Sequence, residues 1–221
     1  MIYFRIIKSV LTNYTMLLPT LLSLQLMLSA GISSMGAVQS VLLPSDPHRM
    51  SMTTSGEPDD APMLHRYTAY NHWANQQLAD WLGTASEADL DREIESSFTS
   101  LKETIFHIWN AEYLWLQTVK GESADHSPAQ NFAGSKEELL QGWLAASENF
   151  AQYVQTMSAA DLQAKRPRSG GERYTVIADM IHHCMNHSTY HRGQLITMGR
   201  QAGLQHPPRT DFIYYISLSD E

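Results

Sequence analysis

Three histidines, His183, His187 and His191, recur at four-residue spacing in a 221-residue chain that holds ten histidines and one cysteine. A helix turns about 100° per residue, so positions four apart lie on nearly one face, one turn above each other. His187 and His191 can therefore grip a single ion; His183 and His187 satisfy the same spacing, and spacing alone does not choose between the pairs. A third ligand has to come from another helix. His107 is the natural candidate, because it sits in an apolar stripe between Phe106 and Ile108, where an unpartnered polar group is costly. Three neutral imidazoles plus water form a recognised catalytic arrangement that keeps one position free for water or substrate. The bland reading stands beside this one: a lone helical histidine is more often a hydrogen-bonded or exposed side chain, and H-x-x-x-H arises often by chance. Cys184 alone permits neither an intrachain disulfide nor a multi-cysteine zinc site.

Positioning these residues takes four helices. Met63 to Leu82 places Leu64, Tyr67, Tyr70, Trp73, Ala74, Leu78 and Trp81 at spacings of three and four, an amphipathic helix closed by Gly83. Ser86 to Ser97 reads as a polar connection with a short turn around Ala88 to Leu90. Ser100 and Glu103 have capping-box spacing and open a second helix that runs to Gly121. After a loop to residue 134, Ser135 and Glu138 repeat that spacing and open a third helix, which reaches about Ser158. Asp161 to Arg173, with Pro167 and the pair Gly170 and Gly171, reads as a short hairpin or a loop. The fourth helix spans about Val176 to Ala202 and ends at Gly203, ahead of Pro207 and Pro208. Phe212 to Ile216 carries a strand pattern. The expected fold is all-α, an antiparallel four-helix bundle with or without a crossover connection.

The formal charge of −8, from 15 basic and 23 acidic residues, argues against a nucleic-acid partner, which needs clustered Lys and Arg. Residues 1–43 form an apolar leader, read in three ways: an export signal, a membrane anchor or an over-long start. Residues 44–61, rich in Pro, Ser, Thr, Asp and Gly, read as a disordered linker, 62–216 as the bundle domain and 217–221 as a tail. A true start near Met50 to Met63 implies a cytoplasmic protein; a genuine leader implies export, or membrane attachment if it is an uncleaved anchor.

The run His187-Ser-Thr-Tyr-His191-Arg-Gly-Gln194, preceded by His183 and Asn186, resembles the fourth-helix motif of the DinB family, damage-inducible bundle proteins held to be metalloenzymes. Tyr70-Asn-His-Trp-Ala-Asn75 resembles that family's first-helix signature, and His107-Ile-Trp-Asn-Ala-Glu-Tyr-Leu-Trp115 its second-helix histidine segment. The ending Asp211 to Tyr215 also fits. The resemblance covers about residues 63–216 and implies metal ligands at His107, His187 and His191. It gives His183 either a role in orienting a ligand ring or a place in the core. Glu112, five residues after His107, lies roughly 140° from it round the helix, which disfavours ligation and leaves a hydrogen bond or ion pair to Arg192. Arg192 and Gln194 belong to the motif and are further candidates for the surroundings of the metal. Cys184 reads as a small buried apolar residue, and Trp73, Trp109, Trp115 and Trp143 as core or interface aromatics.

Similarity to this family implies an enzyme that activates a low-molecular-weight thiol or water, of the thiol S-transferase or hydrolase type, acting on a small-molecule substrate and commonly dimeric. Zinc and nickel both suit imidazole ligands, and iron or manganese is less favoured without a carboxylate. The rival readings are a metal-binding stress protein without turnover and a helical dimerisation or interaction module.

Overall fold

The computed structural model describes residues 60–123, 126–167 and 173–218. The leader, nearly all of the linker, the Gly170 and Gly171 pair and the end of the tail lie outside the described residues. Four long helices dominate: α1 (Ala61–Gly83), α3 (Leu101–Lys120), α4 (Lys136–Gln155) and α6 (Ile177–Gln201). Among them lie α2 (Glu87–Asp91), α5 (Ala159–Gln163), the strands β1 (Lys165–Pro167) and β2 (Tyr174–Val176), and a terminal α7 (Phe212–Ser217). Among the described residues no helix is long and apolar enough to cross a membrane.

Local chemistry sets the helix ends. The Ser100 hydroxyl accepts from the Glu103 amide at the start of α3, and Ser135 with Glu138 forms a reciprocal capping box on α4. Ser86 and Ser158 cap the two short helices in the same way, with Asp89 and Asp161 as the partners. Gly121 ends α3 at φ 77°, a left-handed conformation that a side chain would strain. The break before α6 is a two-stranded antiparallel hairpin that pairs Lys165 with Val176 and Pro167 with Tyr174. Phe212 to Ile216, which the sequence pattern offers as a strand, is helical instead. Among the described residues it has no neighbouring strand to satisfy its backbone, whereas a helix does so internally.

α1 packs on α4 and α6, and α3 packs on the same two helices, which gives the cyclic order α1, α4, α3, α6. Contacts fix the directions. Thr104 meets Met198 and Trp115 meets His183, so α3 and α6 run antiparallel. His72 meets Ser147 and His65 meets Met157, so α1 and α4 do too. Trp109 faces Gly142 while Lys120 lies over Tyr153, so α3 and α4 are parallel neighbours. Joining them requires the crossover. Ser127 reaches Asn110, and the Phe132 ring lies 5.7 Å from Phe106 and 5.6 Å from Trp109, so the connection climbs back along α3.

The buried apolar residues form two clusters. One gathers Leu78, Leu82, Leu101, Ile105, Leu139 and Trp143 with Leu195 and Met198; the other gathers Leu64, Leu116, Phe150, Val154, Ile177 and Ile181. Between them lies a polar layer of buried Asn71, Asn75, Glu112, Ser188 and Arg192. A layer of this kind is tolerable only if its groups are mutually hydrogen-bonded.

Candidate metal centre

α3 and α6 present His107, His187 and His191 to one another in the groove between them. One ligand nitrogen from each lies within 4.8 Å of the other two. His107 Nε2 stands 3.0 Å from His187 Nε2, which stands 3.2 Å from His191 Nε2. With metal–nitrogen bonds of about 2.0–2.1 Å, the nitrogens of a tetrahedral site are about 3.3–3.4 Å apart. Two of the triad's three edges are thus close to the length a tetrahedral ion requires, and the third lies within 4.8 Å. Among the described residues no fourth His, Cys, Asp or Glu joins the group.

The tautomers support the same fit. His191 Nδ1 lies 2.7 Å from Gln194 Oε1, and Gln194 Nε2 donates to Ser97 Oγ at 2.7 Å and to the Tyr190 hydroxyl at 3.2 Å. An amide nitrogen engaged as donor leaves its oxygen as acceptor, so His191 carries its proton on Nδ1 and turns the Nε2 lone pair to the centre. His187 Nδ1 is buried without a partner among the described residues.

Three lone pairs turned to one point would be relieved by a cation, and a proton is disfavoured as that cation at neutral pH. Burial, with repulsion from His191 and His187, lowers His107 to about 3; burial, with repulsion from His191 and His183, lowers His187 to about 4. Burial also lowers His191, against the opposing pull of its bond to Gln194. Three neutral imidazoles with convergent nitrogens are the donor set that a divalent transition metal prefers.

Aromatic rings wall the site. The Phe98 ring lies 4.3 Å from that of His107 and 5.6 Å from that of His191, and Tyr190 lies 4.9 Å from His191. His183 is exposed, which removes the core reading of this residue; its ring lies 5.0 Å from Trp115 and 5.9 Å from His187.

Glu112 points away from the triad into the polar layer and is fully buried. Its carboxylate accepts from Asn71 Nδ2 at 2.7 Å, Asn75 Nδ2 at 3.0 Å and Ser188 Oγ at 2.9 Å. Burial raises the Glu112 pKa, and these three donors and Arg192 oppose the rise. Arg192 does not meet the carboxylate directly. Its Nη1 donates to Asn71 Oδ1 and, at 3.0 Å, to Asn75 Oδ1, while Nη2 donates to Thr189 Oγ1 at 2.7 Å. Each asparagine therefore bridges the two charges, nitrogen toward Glu112 and oxygen toward Arg192.

Sequence reasoning did not find the roles of Asn71, Asn75, Ser188 and Phe98. The two asparagines are four residues apart and so share a helix face, which was a usable signal. Phe98 lies in an irregular connection, where no periodicity marks it. Cys184 is buried in the lower apolar cluster, as expected of a small apolar side chain.

Comparison with known proteins agrees with this architecture. The model of the family described as "DinB family" matches residues 50–219. "Protein DinB" of Bacillus subtilis is 30% identical over 159 residues, 68% of this chain and 91% of that protein. A DinB-like protein from Bacillus cereus, solved by crystallography, superposes with a TM-score of 0.52 at 21% identity, over 62% of this chain and 90% of that one. A DinB-like crystal structure from Bacillus subtilis gives 0.53 at 17% identity, over 67% and 97%.

Proposed function

Because the chain belongs to the DinB family, we propose that it is a metal-dependent enzyme that activates a small nucleophile, a low-molecular-weight thiol or water, at His107, His187 and His191. One observation carries the reading: three imidazole nitrogens from two helices converge within 4.8 Å, with no fourth His, Cys, Asp or Glu joining them among the described residues. A divalent ion held there supplies Lewis acidity, lowering the pKa of a thiol or water that takes the open position.

The chain's own residues supply the rest. His191 is held in one tautomer by Gln194, which is in turn fixed by Ser97 and Tyr190. Phe98 and Tyr190 flank the rings and give the approach an apolar wall, suited to the carbon skeleton of an electrophilic substrate and unfavourable to bulk water. Thiol transfer and hydrolysis both use this arrangement. Zinc and nickel are the ions proposed.

The test is elemental analysis of the purified, tag-free protein beside a variant carrying His187→Ala and His191→Ala. About one zinc or nickel per chain in the wild type, lost in the variant, supports the site. Thiol-conjugation and ester-hydrolysis assays on the loaded protein then separate the two reactions. Stoichiometric metal without turnover in either assay favours a non-catalytic metal protein. No metal after loading with zinc and nickel overturns the reading in favour of a helical interaction module.

A further inference from the structure

We propose that Glu112, tied to Ser188, Asn71, Asn75 and Arg192, is the positioning residue of the metal centre: it sets the register of α3 against α6 from the core side and so sets the spacing of the three imidazoles. The inference rests on the metal-centre reading above and adds a role that no ligand plays.

The placement of the residues carries the argument. On α6 each of the two ligands is followed directly by a member of the polar layer: His187 by Ser188 and His191 by Arg192. Consecutive helical residues point about 100° apart, so the ligands face the outer groove while their successors face the core. On α3, His107 and Glu112 divide in the same way, the ring in the groove and the carboxylate in the core. The Ser188 to Glu112 hydrogen bond, 2.9 Å long, is a direct side-chain tie between the two helices that carry the ligands. Rotating or sliding either helix swings the imidazoles and breaks this tie together.

Magnitudes show why apolar packing is not enough. Slipping a helix by one residue moves it about 1.5 Å along its axis, whereas metal–ligand distances must hold to about 0.2 Å. Hydrophobic attraction is non-directional, and cores with the right volume and pattern tolerate alternative packings. The two apolar clusters lie on either side of this level, and the directional bonds lie in it. The carboxylate is specifically needed. It accepts from Asn71, Asn75 and Ser188 at once, whereas a glutamine would set its own amide N–H groups against some of those donors.

The experiment compares full-length wild type with Ser188→Ala, which deletes only the tie between α3 and α6, and with Glu112→Gln. The probes are zinc, titrated against a chromophoric chelator, and cobalt(II), read by its d–d absorption at saturation. Circular dichroism and denaturation of the metal-free proteins run in parallel. The expected result is zinc affinity at least about tenfold weaker in a folded variant, with an altered cobalt spectrum at saturation. Affinity within about twofold and an unchanged spectrum would overturn the positioning role and leave the metal centre standing. So would weaker affinity that merely tracks the loss of the metal-free fold, with the saturated spectrum unchanged. A wild type that binds neither ion removes the metal centre, and this inference with it.

Discussion

His191 and Gln194 are joined by a 2.7 Å contact between Nδ1 and Oε1, one turn apart on α6, and this contact decides which nitrogen of the ring faces His107 and His187. Gln194 is therefore as much a part of the candidate centre as the three histidines, although it contributes no convergent nitrogen.

Replacing Gln194 with leucine removes that acceptor and frees the His191 ring to rotate or change tautomer. Zinc affinity should fall about 10- to 100-fold. Metal-free stability should change by no more than about 0.5 kcal/mol, because Gln194 is only half-buried. Competition titration and urea unfolding measure the two quantities separately.

The depressed histidines make the metal-free protein acid-sensitive in a defined window. Above pH of about 7.5 neither the folded nor the unfolded state carries an appreciable proton charge on these rings, the unfolded ones being half protonated near 6.5. As pH falls below that value the unfolded chain takes up protons, while the folded one resists until about 4 at His187 and about 3 at His107. The unfolded state binds more protons throughout this interval, so stability rises with pH across it and falls on acidification. Urea midpoints should drop steadily from pH 7 to pH 4 in the wild type. The slope should be shallower in a variant carrying His107→Gln and His187→Gln.

The buried charges of the polar layer should be strongly coupled. Glu112→Ala or Arg192→Ala leaves the opposite charge buried without its compensation and should cost about 3–5 kcal/mol. A double variant carrying both changes should lose markedly less than the sum. Strict additivity in denaturant melts would show that the asparagines do not couple the two groups.

Gly142 on α4 lies flat against the Trp109 ring of α3, and a Cβ at that position would overlap the indole. Gly142→Ala gains about 1 kcal/mol of helix propensity, but overpacking costs about 1–3 kcal/mol. A net lowering of the melting temperature is expected, and Trp109→Leu in the same chain should relieve it.

Cys184 offers a simple check on the lower apolar cluster. Burial pushes its thiol pKa well up, with repulsion from Glu112 adding to the effect. A thiol of this kind is inert in the folded state. Ellman's reagent should react with it only at the rate of unfolding, and prompt labelling of the native protein would contradict the packing.

The helices were legible because their signals are local. Apolar period, serine caps and Gly121 mark α1, α3, α4 and α6 to within about three residues, the largest miss being the end of α4 at Gln155 rather than Ser158. The triad was legible as types and spacing; spacing left His183 and His187 open as the pair, the resemblance to the family motif pointed to His187 and His191, and α3 brings His107 to those two. Geometry makes that choice: His183 turns outward to Trp115 while His191 turns inward. The asparagine bridge between Glu112 and Arg192 was beyond the sequence, because its partners come from three helices up to 121 residues apart. The terminal segment 212–216 misled for a related reason: apolar and aromatic residues at this density suit either conformation, and only the available partners decide.

The last part of the chain has a consequence for how the protein is made. Tyr70 donates to the Thr210 carbonyl at 2.7 Å across 140 residues, Trp81 donates to that of Gln205 at 2.7 Å across 124, and the rings of Phe212 and Tyr215 lie 5.0 and 5.7 Å from that of Tyr70, the first edge-on and the second tilted. During synthesis α1 emerges first and its cover emerges last. At ribosomal speeds of about 5–20 residues per second, the 140 residues from Tyr70 to Thr210 take roughly 7–28 seconds to make. Until then the rings of Tyr70 and Trp73 lack the cover that Phe212 and Tyr215 give them in the folded bundle.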